Sequence, residues 1–145
     1  MAGLTLTLEP ITRERFAPFG RLIAFSEQSP DERFEVLLTE DAQPWRIAVF
    51  RVRQHKAERL ECHPGSMESF EPMAGAGILL CAEPHTPHEI HAFLLDTPVC
   101  LYKGVWHEVI ALSQEALYKI TENREVSSQF HPLEHPLGFQ IQNIE

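Results

Sequence analysis

The chain has 145 residues, 43% hydrophobic and 23% charged, the composition of one ordinary globular domain (residues 1–145) that can bury a core without disulfide staples. Twelve basic against 21 acidic residues leave a formal charge of -9, which excludes nucleic acid as a partner, because phosphate backbones are held by several Lys or Arg on one face. No run reaches the roughly 20 apolar residues of a membrane span, and the opening Met1 to Leu8 lacks the basic start and continuous apolar stretch of a signal peptide, so no membrane contact and a cytoplasmic location are expected.

Leu4, Leu6 and Leu8 alternate with Thr5 and Thr7, which predicts a first strand ending at Pro10. Thr12 is placed to cap a short helix through Arg13 to Phe16, with Pro18 and Gly20 as its stop. Arg21 to Phe25 reads as extended, and Gln28 to Glu32 as a loop around Pro30. Phe34, Val36 and Leu38 alternate with other residues and suggest a strand, followed by a stronger one over Trp45 to Arg53. In that strand Trp45, Ile47, Val49, Arg51 and Arg53 share one face, and Arg46, Ala48, Phe50 and Val52 the other.

Leu60 to His63 and Ser69 to Met73 flank a Pro64-Gly65 turn. Further short strands are predicted over Ala76 to Ala82, Ile90 to Leu95, Val99 to Tyr102, His107 to Leu112 and Leu117 to Thr121, with a last one over Gly138 to Ile144. About ten strands spaced roughly 8 to 12 residues apart, with one brief helix, point to a closed or sandwiched antiparallel sheet. Parallel α/β architecture is argued against by the lack of long helices between strands. A jelly-roll barrel ranks ahead of an immunoglobulin-like sandwich. Cys62, Cys81 and Cys100 all lie in apolar or strand-like runs, with no Cys-x-x-Cys pair among them, and read as reduced, mostly buried thiols.

The stretch from Glu61 to Gly75 carries most of the chemistry. Glu61 and His63, two apart on a strand, project the same way, and Glu68 follows the turn. His107 comes later, in Lys103-Gly104-Val105-Trp106-His107. Two hairpins of one barrel can bring these four side chains to one pocket, as a divalent-metal site or as an acid/base site. A mixed nitrogen and oxygen shell of this kind suits Mn, Fe, Ni or Zn. The loop His85-Thr-Pro-His-Glu-Ile-His91 is a rival metal candidate, but its histidine spacing fits no single strand face, and it reads better as a solvated loop or lid. Tyr102 and Trp106 read as pocket wall and core.

His63, Glu68 and Gly75 fall on the frame of the first cupin motif, with Glu61 where that superfamily usually has a histidine. Gly104 and His107 match part of the second. The longer strings Phe16 to Gly20, Glu61 to Met73 and Val105 to His107 resemble the ureidoglycolate lyase family of the cupins, also called ureidoglycolate hydrolase. The resemblance implies an all-β, cupin-type double-stranded barrel. It also implies cleavage of ureidoglycolate to glyoxylate and urea, a step of allantoin and purine degradation, by a homodimer. Glu68 stands where that family often has Gln, which brings the chain nearer to a metal-binding cupin.

On this reading His63, Glu68 and His107 are the catalytic candidates. An imidazole is the base, and Glu68, with a pKa raised among apolar strands, is the acid, or the roles are exchanged. Glu61, His63, Glu68 and His107 are the metal candidates. A small-molecule carboxylate substrate needs a cation, and Arg51 or Lys103 is expected to supply it. A metal-dependent isomerase or dioxygenase, or a non-catalytic ligand-binding cupin, are the alternatives.

Overall fold

The computed structural model describes residues 4–141 and 143. Six strands form one sheet in the order β1 (Leu8–Glu9), β7 (His91–Leu94), β6 (Gly77–Ala82), β9 (Trp106–Ala111), β4 (Lys56–Cys62) and β11 (Gln129–Gly138). Five form the second, in the order β2 (Gly20–Leu22), β8 (Val99–Leu101), β5 (Glu68–Ala74), β10 (Ala116–Asn123) and β3 (Trp45–Val52). All neighbours are antiparallel except β1 with β7. This is the all-β double-sheet barrel that strand counting predicts.

The main core fills the space between the sheets. Phe70 and Tyr118 from one sheet and Leu79, Phe93 and Val109 from the other are almost completely buried in one cluster. A second cluster lies behind the six-stranded sheet, where Ile78, Leu80 and Ile110 pack with Leu133 and Leu137 of β11. Strand β6 is therefore buried along its whole length, which is why its sequence is a continuous apolar run rather than an alternation.

The short helix α1 (Arg13–Phe16) starts as predicted. Thr12 is extended, and its hydroxyl accepts the Arg15 N–H at 3.1 Å, satisfying one of the free donors of the first turn. The helix delivers Phe16, fully buried, against Phe93 with ring centroids 5.3 Å apart.

Three expectations are corrected. The Leu4 to Leu8 alternation forms only the two-residue β1, which pairs with β7 at Leu8 and Glu9 alone, and Leu4 is exposed. Phe34, Val36 and Leu38 form no strand; no ladder reaches them, and Phe34 and Val36 are exposed. The last strand ends at Gly138 instead of starting there. Pro132 and Pro136 conceal it in the sequence, yet β11 is an edge strand with a register shift between Pro132 and Leu137, where proline costs no ladder bond. Gln142 and Ile144, at the end of the expected strand, lie outside the described residues.

Candidate functional site

The site is assembled from both sheets. On β4, Glu61 lies directly opposite His107 of β9, and His63, two residues on, projects to the same face. From the other sheet, Glu68 opens β5. Two glycines with positive φ, Gly75 at +74° and Gly104 at +80°, end β5 and precede β9, a backbone region that glycine enters without penalty. The Gly104 N–H donates to the His63 carbonyl at 3.0 Å, tying the turn before His107 to the end of β4. The Pro64-Gly65 turn is fixed to β10 in turn, through Asn123 Nδ2 donating to the Gly65 carbonyl at 3.1 Å and Asn123 N to Ser66 Oγ at 3.0 Å.

Glu61, His63, Glu68 and His107 therefore converge. His107 Nε2 lies 2.9 Å from Glu68 Oε1, and His63 Nε2 lies 3.3 Å from both Glu68 Oε1 and Glu61 Oε1. The far nitrogens are committed elsewhere: His107 Nδ1 is 3.0 Å from the Val105 carbonyl, and His63 Nδ1 3.3 Å from that of Ser127. A carbonyl only accepts, so His107 Nδ1 carries a hydrogen; His63 Nδ1 also meets the Ser128 hydroxyl at 3.2 Å, and a hydrogen on it serves both neighbours. In neutral imidazoles both Nε2 lone pairs would face carboxylate oxygens, acceptor against acceptor, and Glu68 Oε1 is a buried oxygen without a hydrogen-bond partner among the described residues.

Two occupants relieve that conflict: a proton on each Nε2, or a cation shared by nitrogens and carboxylates. Left to protons, His63 has its pKa raised to about 10 by Glu61 and then Glu68, although burial works against the charge. Burial opposes the charge on His107 most strongly, yet Glu68 outweighs it and the pKa still rises. For Glu68 burial pushes upward, but the hydrogen bonds from His107 and His63 prevail and bring it to about 2. Glu61 is lowered, chiefly by His63. The expectation of a raised pKa for Glu68 is thus corrected: among apolar strands it meets two imidazoles, and it is an anion.

These residues line a cavity of ≈ 280 Å³ walled by Phe50, Phe70 and Ile120. The cations expected there are elsewhere. Arg51 projects from the outer face of β3 with its Nε 3.2 Å from Glu115, and Lys103 pairs with Glu40 at 2.5 Å; neither lines the cavity. The guanidinium that does is Arg46, from the opposite face of β3, and it binds Glu122 of β10. The alternation of Tyr118, Ile120 and Glu122 along β10, a carboxylate continuing an apolar face, was the available signal for that pair. Glu108 also lines the cavity, its pKa raised by burial.

Ligand atoms of Glu61, His63 and His107 lie within 4.8 Å of one another, as do those of His63, Glu68 and Glu122. The His85 to His91 loop joins neither group; His91 pairs with Glu9 at 2.8 Å instead. No residue of that loop lines the cavity. Tyr102 and Trp106 stand outside the cavity too, the indole donating to the Pro84 carbonyl at 3.1 Å.

Comparison with known proteins agrees with this geometry. The family model described as ureidoglycolate lyase matches residues 3–139. A ureidoglycolate lyase of Pseudomonas aeruginosa is 31% identical over 129 residues, covering 73% of this chain and 75% of the relative. One of Brucella ovis is 28% identical over 139 residues, covering 81% and 82%. Among solved structures, a dTDP sugar isomerase of Desulfovibrio desulfuricans superposes with a TM-score of 0.52 at 14% identity, over 80% of this chain and 83% of that one. The capsular polysaccharide assembling protein CapF of Staphylococcus aureus gives the same TM-score of 0.52 over 72% of this chain and 34% of its own. Likeness at that identity concerns the fold, a cupin-type barrel.

Proposed function

Because this chain belongs to the ureidoglycolate lyase family, we propose that it is a lyase cleaving ureidoglycolate to glyoxylate and urea in the cavity between its sheets. The carrying observation is the convergence of two carboxylates and two imidazoles on that cavity. Cleavage requires the hydroxyl on the central carbon to lose a proton, the carbon–nitrogen bond to break, and the departing nitrogen to gain a proton. The hydroxyl carbon becomes the aldehyde of glyoxylate, and the nitrogen leaves in urea.

The site supplies a base and an acid side by side. Glu61 is the more exposed carboxylate, a third accessible, and His63 keeps it ionised; it accepts the hydroxyl proton. His63, holding its proton firmly between two carboxylates, delivers one to the departing nitrogen. The 3.3 Å contact between them lets the proton taken by Glu61 replace the one given by His63. Glu68 is neither acid nor base here; it orients both imidazoles. His107, fixed at both ring nitrogens, holds Glu68 in place.

Glu61, His63, Glu68 and His107 also fit a divalent ion of the Mn, Fe, Ni or Zn class, on the evidence of the unpartnered Glu68 oxygen and the two Nε2 atoms turned toward it. When bound, such an ion supplies a Lewis acid that lowers the pKa of the substrate hydroxyl. Ion and imidazole protons are alternative occupants of one charge balance. We further infer a homodimer through the outer face of β3, which is a sheet edge and exposes Trp45, Ile47 and Val49. A cytoplasmic location is supported by the free Cys62, Cys81 and Cys100. No helix among the described residues is long and apolar enough to cross a membrane.

The test is urea release from ureidoglycolate by the purified protein, before and after chelation. Absence of urea from both metal-replete and chelated protein would sink the proposal.

A further inference from the structure

Three charged side chains of the five-stranded sheet stand in one row across neighbouring strands. Glu68 of β5 is directly opposite Glu122 of β10, and Glu122 is directly opposite Arg46 of β3. Cross-strand carboxylates repel each other, and here both are buried. A barrel needing only a core would place apolar side chains in such a row, as Tyr118 and Ile120 do further along the same face of β10.

Arg46 offsets half of the charge problem. Its Nε and Nη2 donate to a single oxygen, Glu122 Oε2, at 2.9 and 2.5 Å. The other oxygen, Glu122 Oε1, is buried and has no hydrogen-bond partner among the described residues, and the Glu122 side chain is only 7% exposed. A buried acceptor left unpaired is costly. The guanidinium is unfinished in the complementary sense: Glu122 uses two of its five N–H donors, the Arg46 side chain is 45% exposed, and it lines the cavity.

The unpaired groups are thus an acceptor and a set of donors at one wall of the cavity, beside the Glu68 carboxylate. A metal ion does not suit Glu122 Oε1, since its carboxylate is already neutralised by a guanidinium, which would repel the cation. A neutral N–H suits it well. The donors of Arg46 suit a carboxylate, which guanidinium binds with two parallel hydrogen bonds.

Resting on the functional reading above, we propose that Arg46 and Glu122 are the substrate-specificity pair of this site: the free edge of Arg46 takes the substrate carboxylate, and Glu122 Oε1 accepts an N–H of the ureido group. One ion pair then reads both ends of the substrate, and the bond to be broken lies between them, facing Glu61 and His63. The direct Arg46 to Glu122 contact sets the distance between the two recognition points, so a carboxylate without a ureido nitrogen satisfies only Arg46.

Two unreactive or slowly reacting probes separate these roles. Glyoxylate has the carboxylate and no ureido group; ureidoacetate has both but lacks the hydroxyl and cannot eliminate urea. Calorimetric binding of both is measured for the parent, Glu122→Gln and Arg46→Gln, together with KM and kcat for ureidoglycolate. Glu122→Gln keeps an oxygen for Arg46 but turns an NH2 toward the ureido nitrogen, so ureidoacetate binding and KM weaken about tenfold or more, the scale of a lost hydrogen bond to a charged group. Glyoxylate binding stays within about twofold, because hydrogen bonds not made to that ligand cannot be lost. Arg46→Gln weakens both ligands about tenfold or more.

The proposal is overturned if Glu122→Gln affects glyoxylate and ureidoacetate alike, as a merely structural carboxylate would, or affects neither. Failure of the parent to bind ureidoacetate overturns it as well. Glu122→Asp, which retains the charge but withdraws the oxygen, guards against misfolding of the first variant and gives the same selective loss. If the parent binds ureidoacetate in this pattern yet releases no urea from ureidoglycolate, the specificity pair stands and the assigned reaction fails.

Discussion

His107 and Glu68 come from opposite sheets and meet at 2.9 Å, imidazole Nε2 to carboxylate Oε1, while the other imidazole nitrogen is held by the Val105 carbonyl just before its own strand. Both side chains are about nine-tenths buried. Replacing Glu68 by Gln keeps the shape and removes the charge that holds two imidazoles protonated and oriented. The expected result is a fall in kcat/KM for ureidoglycolate of roughly 100-fold or more, the scale of losing a positioned acid, because His63 then no longer holds its proton in place. A Glu68→Gln enzyme within tenfold of the parent would remove Glu68 from the machinery.

The pKa shifts set a stability profile for the metal-free protein. His63 is raised to about 10, so its stabilisation is complete below the ordinary imidazole pKa of about 6.5 and is lost as pH rises toward 10. Glu68 is lowered to about 2, so its stabilisation is complete above the ordinary carboxylate pKa of about 4.3 and is lost as pH falls toward 2. Thermal melting in chelator should therefore show a plateau between those ordinary values and a decline on each side. Saturating Mn or Zn should abolish the alkaline decline, since neutral imidazoles are then ligands. Calorimetry at neutral pH in two buffers should also detect about two protons released per ion bound, because ligands must shed protons to coordinate.

Arg51→Ala distinguishes the two faces of β3. Arg51 is largely exposed and, among the described residues, paired only with Glu115, on the outer surface. Its removal should leave kcat/KM within about twofold and cost at most ~1 kcal/mol, as for other surface ion pairs. A large loss of activity in Arg51→Ala would mean that substrate reaches the outer face.

Val49 tests the homodimer. It is 66% exposed on the outer face of an edge strand, so Val49→Glu places a charge on the proposed contact without touching the cavity. Light scattering should show a dimer for the parent and a monomer for the variant. A parent that is monomeric at all accessible concentrations rules out this contact.

Much of the site was legible because strand alternation and a turn suffice to align Glu61, His63 and Glu68, and Gly104 marks the approach to His107. What misled was the polarity of β3. Trp45, Ile47 and Val49 make the outer face the more apolar one, which points to Arg51 as the cation for the substrate carboxylate, whereas the inward face is the one carrying Arg46. Periodicity tells which residues share a face but not which face is buried. The protonation of Glu68 is hidden from the sequence for a related reason: burial is visible in the apolar neighbours, but the two imidazoles that outweigh it come from β9 and from the end of β4, and their distance to Glu68 is a property of packing. Strand β11 was hidden by prolines that only an edge position tolerates.

That His107 and Glu68 belong to different sheets makes the reaction centre a gauge of barrel thickness. Phe70 lies against the His107 ring with centroids 5.7 Å apart and, with Val109, fills the gap between the sheets. An oversized side chain there would pry the layers apart and stretch the imidazole from its carboxylate while every strand remained paired. Warming should act in the same sense, so inactivation is expected to precede the loss of β-structure, and the enzyme's working temperature is set by the spacers of its core.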